Sequence, residues 1–220
     1  FDTPVTGGNV SFYNLGPEGA VYPTPTIGMV GLLEDMSAKM TMTFKNEDDV
    51  IFLIGKSSDD INSSEYLHKI QGVEFSPAPH FDLDEEHLLQ QSIAELIRKK
   101  LIISAHDISE GGLFITLVES SLTNNLGFDV VANDSNIRKD AYWFGESQSR
   151  VVVSVEPAKV DLFKKTLGAH LYEELGFVTN GPVQVDGMDW GNIAFWKHKY
   201  DTAIESLLAG HESEHALTTL

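Results

Sequence analysis

The spacing of apolar runs between residues 50 and 200 limits the fold more than any other feature of this sequence. Val50-Ile-Phe-Leu-Ile54 is a short apolar run ending at Gly55, with the length and composition of a buried strand. From Asp84 to Lys100 the period changes. Leu88, Leu89, Ile93, Leu96 and Ile97 fall on one helical face, acids crowd the start and Arg98-Lys99-Lys100 closes the end, as the helix dipole prefers. Leu101–Ile103 reads as a strand, and His106–Gly112 as a turn opening a helix through about Ser121. Phe128–Val131 and Arg150–Val155 read as strands. Pro157 stands where a helix would begin, and the pattern carries that helix to about Leu175. Short strands are expected near 177–179 and 192–196, and a last helix over about 199–208. Strands alternating with helices give a layered α/β domain whose mixed sheet is packed by helices.

Upstream, residues 1–14 read as strand, tight turn, strand. Pro23-Thr-Pro-Thr26 is extended, because a residue preceding proline is pushed out of the helical region. Ile27–Leu33 is an apolar strand carrying two glycines, and 56–81 is mostly loop. The polar break Asn46-Glu-Asp-Asp49 sets a boundary, giving expected segments 1–45, 46–208 and a polar tail 209–220. The abrupt start at Phe1-Asp-Thr-Pro reads as a piece of something longer. A formal net charge of −18 argues against nucleic-acid and anionic-membrane partners. The absence of cysteine excludes a disulfide framework, a thiol nucleophile and a Cys-based zinc site. No apolar run has the ~20 residues of a membrane span, and no signal peptide is evident, so the expected location is cytoplasmic.

Val5-Thr-Gly-Gly-Asn-Val-Ser-Phe-Tyr-Asn14 carries the densest chemistry. Gly7 and Gly8 permit close approach of a ligand, and Asn9 offers an amide oxygen suited to Mg²⁺. Ser11 would share Asn9's face on a strand. The same Gly-Gly-Asn is ordinary turn chemistry. His106 and Asp107 with Gly111-Gly112 at a strand-to-helix turn have the make-up of an anion site, with Asp107 able to hold a metal; the competing account is Ser109 as an N-cap. Glu146-Ser147-Gln148 is either a substrate contact or a solvated turn. Three apparent motifs fail. Gly55-Lys56-Ser57 lacks the earlier glycine of a P-loop, since position 50 is Val. His211-Glu-Ser-Glu-His215 matches H-E-x-x-H, but on a polar tail with no later histidine as third ligand. Ser104, His106 and Asp107 have triad residue types but no nucleophile elbow.

Taken together, VTGGNVSFYN (5–14), PTPTIGMVGLL (23–33), AHDISEGGL (105–113) and GESQSRVVVSV (145–155) resemble the C-terminal part of phosphoribosylformylglycinamidine synthase, in its small bacterial type. The wider superfamily includes aminoimidazole ribonucleotide synthetase, selenophosphate synthetase and the hydrogenase-maturation dehydratase. The resemblance implies the end of an N-terminal-type, ATP-binding half (1–45) followed by a complete C-terminal-type half. It implies ATP-dependent conversion of formylglycinamide ribonucleotide to the amidine, using ammonia from a glutaminase subunit and a small accessory subunit. It implies ATP contact at Gly8, a Mg²⁺ ligand at Asn9 and substrate contact at Ser11. Asp107 and Glu146-Ser147-Gln148 then belong to a second, pseudo-symmetric copy of the site. The family's catalytic histidine would lie upstream, so no catalytic residue is assigned and the piece is expected to be inactive alone. Alternatives are a non-catalytic scaffold that binds nucleotide structurally, or another superfamily member such as a selenophosphate synthetase. Because N-terminal halves pair through their sheets in the superfamily, a homodimer through 1–45 is also expected.

Overall fold

A computed structural model of the chain describes residues 4–8, 15–17, 19–21, 26–133 and 136–217, those from 210 onward as backbone only. Two compact units divide at Lys39 and Met40. In the smaller unit, β1 (Val5–Gly8) is one strand of a two-stranded antiparallel ribbon. β2 (Leu15–Gly16) and β3 (Gly19–Ala20) pair with each other, and β4 (Ile27–Met29) is the partner of β1.

The larger unit is built on β5 (Val50–Ile54), α1 (Leu83–Arg98), β6 (Ser104–Asp107), α2 (Gly112–Leu122), β7 (Gly127–Val130), α3 (Lys139–Phe144), β8 (Val151–Val155), α4 (Val160–Leu167), β9 (Tyr172–Thr179), β10 (Pro182–Val185), β11 (Met188–Asn192) and α5 (Ile193–Leu217). Its strands form one seven-stranded mixed sheet in the order β11-β10-β7-β9-β5-β8-β6, in which only β7 and β10 pair in parallel. The expected layered fold is therefore present. Strand alternation splits the core in two. Ile51 and Leu53 of β5 face α2, α3 and the start of α5, together with Phe128, Leu175 and Val183. Phe52 and Ile54 face α1 and α4, where Leu96 and Phe163 are fully buried. Phe44 is also fully buried, and its backbone is tied to α2 by its N–H to Ser120 O (2.8 Å).

Several elements depart from the sequence reading. Leu101 and Ile102 are buried as connecting chain in the α1–α4 layer; the strand begins at Ser104. The helix after Pro157 stops at Leu167, where Gly168 donates to Lys164 O, and Leu175 lies within β9. The strand expected at 192–196 is the start of α5, and that helix runs on through Leu217, into the expected tail. β10 and β11 form a tight hairpin with Val185 opposite Met188. Its turn residues, Asp186 and Gly187, both have positive φ (53° and 74°), the requirement of a type I′ turn.

Asp186 also braces the layer above the sheet. Its carboxylate accepts from Ala132 N (2.8 Å), Lys139 Nζ (2.7 Å) and Trp143 Nε1 (3.1 Å). Burial alone would raise its pKa, but these donors outweigh it and hold the carboxyl below its usual range. The stabilisation is complete above the ordinary aspartate range near ~3.9 and is lost as pH falls through the lower folded value. Asp186→Asn tolerates the left-handed turn but removes the charge. It should cost about 1–2 kcal/mol at pH 7 in urea unfolding, and less at a pH below the ordinary aspartate range near ~3.9. An equal penalty at both pH values would contradict the ionic account.

Candidate functional site

The strand registers gather the chemistry-bearing loops at one end of the large sheet. Ile54 pairs with both Val151 and Tyr172, and Asp107 pairs with Val151. The loops after β5 and β6, and those before β8 and β9, therefore share that end. Its centre is the Glu146 carboxylate. Glu146 Oε1 accepts from Gly111 N at the start of α2 (2.8 Å) and from Glu65 N in the loop after β5 (2.8 Å). The helix N-terminus that the sequence offered as an anion site thus holds an anion from its own chain, where the free N–H groups and dipole favour one. Ser109 is not the cap: it is exposed and contributes only its carbonyl, which accepts from Gly112 N (3.1 Å).

The glycines are explained by conformation and by space. Gly111 and Gly112 have φ of 84° and 70°. A Cβ on Gly112 would lie 2.7–2.8 Å from the backbone of Phe144 and Gly145, the residues leading into Glu146. The Glu146 loop is held from beneath by Arg150, which is 2% exposed. Arg150 donates from Nε to Ser147 O (3.1 Å) and from Nη2 to Gly145 O (2.7 Å). Burial pushes its guanidinium down to about 10, opposed by Tyr142 and Glu173. The Tyr142 hydroxyl, raised by burial and by its bond to Glu173 Oε2 (2.7 Å), joins that network. Ser147 is buried and Gln148 is exposed, its Nε2 donating to Glu146 O (3.2 Å).

His106 points to a structural role. Its Nδ1 lies 3.2 Å from Thr116 O and 3.0 Å from Ser120 Oγ, and its Nε2 is 3.7 Å from Glu119. Ser104 Oγ meets Ser154 Oγ at 2.5 Å, so Ser104, His106 and Asp107 form no triad. Asp107 is exposed, with no side-chain partner among the described residues. A cavity of about 420 Å³ adjoins this sheet end, lined by Lys56, Glu85, Leu88, Ser149 and His170 among others. Glu65, Arg150 and this cavity went unnoticed in the sequence. Only Arg150 gave a signal there, as a lone charge opening an apolar strand run.

In the smaller unit, Gly8 pairs with Ile27, and a Cβ there would lie 2.9 Å from Thr26 O, so strand pairing alone demands glycine. Asn9 and Ser11 lie outside the described residues. The His211–His215 motif falls on the end of α5 where only backbone is described. Among the described residues, no group of three or more His, Asp and Glu side chains is placed to hold a metal ion, and no helix is long and apolar enough to cross a membrane.

Residues 46–187 match the family described as AIR synthase related protein, C-terminal domain. The chain belongs to that family. This AIR synthase related chain is 41% identical over 186 residues to the phosphoribosylformylglycinamidine synthase subunit PurL of Alkaliphilus metalliredigens, covering 84% of this chain and 25% of that subunit. It is 45% identical over 230 aligned residues to the subunit of the same name from Chlorobaculum tepidum, covering 94% of this chain and 30% of the relative. The chain thus spans less than a third of the curated relatives it matches. Among solved structures, Thermotoga maritima PurL complexed with FGAR superposes with a TM-score of 0.61 at 16% identity, over 79% of this chain and 31% of the other. The hydrogenase maturation protein HypE superposes with a TM-score of 0.51 at 15% identity, over 74% of this chain and 55% of the other. Both likenesses bear on the fold of the AIR synthase related chain. Within that fold, the turn at Gly111 is closed by Glu146, and Asp107 is exposed with no side-chain partner among the described residues.

Proposed function

We propose that this chain is part of an ATP-dependent carbon–nitrogen ligase of purine biosynthesis, the synthase that converts formylglycinamide ribonucleotide to formylglycinamidine ribonucleotide. The observation that carries the reading is the 45% identity to a synthase subunit over 94% of the chain. In this reading residues 1–45 end an ATP-binding half, 46–208 form the second C-terminal-type half, and 209–220 lie beyond both. Gly8 contacts ATP, Asn9 holds Mg²⁺ and Ser11 contacts the ribonucleotide. The amide of Asn9 is a hard oxygen donor, the class Mg²⁺ takes, and Ser11 adds a hydroxyl. The formamide oxygen takes the γ-phosphoryl group and ADP leaves. Ammonia then adds to the activated carbon and inorganic phosphate departs. Bound Mg²⁺ would neutralise charge on the transferred group; this chain's own residues position the nucleotide and substrate. A glutaminase subunit supplying ammonia, a small accessory subunit, a cytoplasmic setting and pairing through 1–45 belong to the same proposal. The exposure of Val5, Ile27 and Met29 on the two-stranded ribbon supports that pairing.

Asn9→Ala in the full synthase, assembled with its glutaminase, should lower kcat/KM by roughly 10²-fold and raise the Mg²⁺ concentration needed for half-maximal rate. Wild-type kinetics across a Mg²⁺ titration would overturn the assignment. A second reading, in which the 46–208 half is a scaffold without catalytic contact, is favoured by Glu146 filling the α2 N-terminus. In that case Asp107→Asn leaves turnover unchanged.

A further inference from the structure

The cavity of about 420 Å³ beside the sheet end lies wholly within the larger unit, and it has the size of a small-molecule site. It is enclosed where β5 ends, against the first turns of α1 and the connection from α4 to β9. Its floor belongs to the core: Ile54, Leu89 and Leu167 are all buried. Leu88 and Leu171 also line it, and they remain 50% and 61% exposed. The walls are tied in place. Gly55 N donates to Leu171 O (3.0 Å), Ser149 Oγ donates to Glu86 Oε2 (2.8 Å), and the His170 Nε2 lies 3.3 Å from Ser92 Oγ. The hollow is therefore formed before any ligand arrives. Two opposite charges stand at its mouth, Lys56 just past β5 and Glu85 in the first turn of α1. Both are exposed, and neither side chain has a hydrogen bond or ion pair among the described residues. They line one cavity yet stand farther apart than the ~4 Å of an ion pair.

We propose that this cavity binds a free α-amino acid with a large apolar side chain. A single charge at a pocket rim selects little. A cation and an anion over one apolar floor select a ligand with both charges at one end and an apolar body at the other. The ligand's carboxylate meets the Lys56 ammonium, and its α-ammonium meets the Glu85 carboxylate. Its side chain lies on Ile54, Leu89 and Leu167 and takes Leu88 and Leu171 out of water. A ligand with only one charge would leave the other rim group desolvated and unpaired, which costs affinity. A phosphorylated ligand would set its charges against Glu85 with Lys56 as the balancing cation, so the chemistry here differs from that of a nucleotide site. The proposal goes beyond the synthase reading and does not rest on it.

L-phenylalanine titrated into this chain and followed by amide chemical shifts should bind saturably, with a dissociation constant below about 1 mM. Two analogues separate its charges: 2-phenylethylamine lacks the carboxylate and 3-phenylpropanoate lacks the ammonium. Each should bind roughly 10-fold more weakly or worse. Lys56→Met should weaken L-phenylalanine by roughly 10-fold and leave 2-phenylethylamine unchanged. Glu85→Gln should weaken L-phenylalanine similarly and leave 3-phenylpropanoate unchanged. Ala169→Trp, at an exposed position on the wall, should fill the cavity and abolish binding while keeping the wild-type circular dichroism spectrum. Neither ATP nor ribonucleotide enters the titration, so its outcome is independent of the synthase reading. No saturation by about 10 mM in the folded wild-type chain overturns the proposal. So do equal affinities for the three ligands, or an affinity for L-phenylalanine that Lys56→Met and Glu85→Gln leave unchanged.

Discussion

Gly112→Ala is expected to cost at least ~3 kcal/mol of stability, far more than a left-handed backbone alone would impose. Two terms add. Alanine at φ 70° carries about 1 kcal/mol of torsional strain. Its Cβ would then stand 2.7–2.8 Å from Phe144 and Gly145 backbone, which no side-chain rotation relieves. Gly187→Ala isolates the first term, since Gly187 has φ 74° in the β10–β11 turn with nothing within 4 Å of a new Cβ; it should lose only about 1 kcal/mol. Urea unfolding of both variants measures the contrast. Equal losses would mean that the close approach of α2 to the Glu146 loop is not tight. Because Gly111 N bonds Glu146, the Gly112 variant should also show faster amide exchange at Gly111, which Gly187→Ala should not.

That approach bears on how the half of the chain around α2 works. A helix N-terminus with two left-handed glycines is built to receive an anion, and here the anion is a carboxylate two residues past the α3 C-terminus. The guanidinium of Arg150 is engaged with the carbonyls of the same loop, so the buried cation positions the carboxylate instead of facing solvent. A phosphate entering this turn would have to displace Glu146 from both Gly111 and Glu65. The self-capped turn therefore supports a structural role for this helix N-terminus.

The sheet and its helices were legible because their signals are local. Val50–Ile54, Arg150–Val155 and Asp84–Lys100 each show one period with clear punctuation, and all three formed nearly as read. The segment 157–175 reads as one helix because Gly168 is the only breaker in the four-residue connection, Gly168 to Leu171, between helix and strand. The β10–β11 hairpin was legible and missed: Asp186-Gly187 between Val185 and Met188 is a standard two-residue turn signal. The site was harder for a different reason. Glu146, Gly111 and Glu65 are brought together by strand register, and nothing in the spacing of 65, 111 and 146 announces a shared carboxylate. Ser109 made a plausible cap on sequence grounds, and a tertiary carboxylate took its place.

Phe114→Ala is expected to cost about 3–5 kcal/mol and to lower the melting temperature by roughly 6–20 °C. Phe114 is 2% exposed on the first turn of α2 and is the hub of an aromatic cluster. Its ring centroid lies 4.8 Å from that of Trp190, 5.1 Å from Trp196, 5.8 Å from Phe144 and 6.3 Å from Phe128. Those rings belong to β11, α5, α3 and β7, so one side chain fastens four elements to the helix that carries the Gly111 turn. Large rings on every side leave little freedom to collapse into the vacated space, which places the loss toward the upper end of the range for a buried aromatic. Phe114→Leu retains most of the volume and should recover more than half of the loss. Thermal unfolding followed by near-ultraviolet circular dichroism, which reads Trp190 and Trp196 directly, measures both. A loss below about 1 kcal/mol for the alanine variant would mean that the cluster repacks, and that α2 is held in place by the sheet alone.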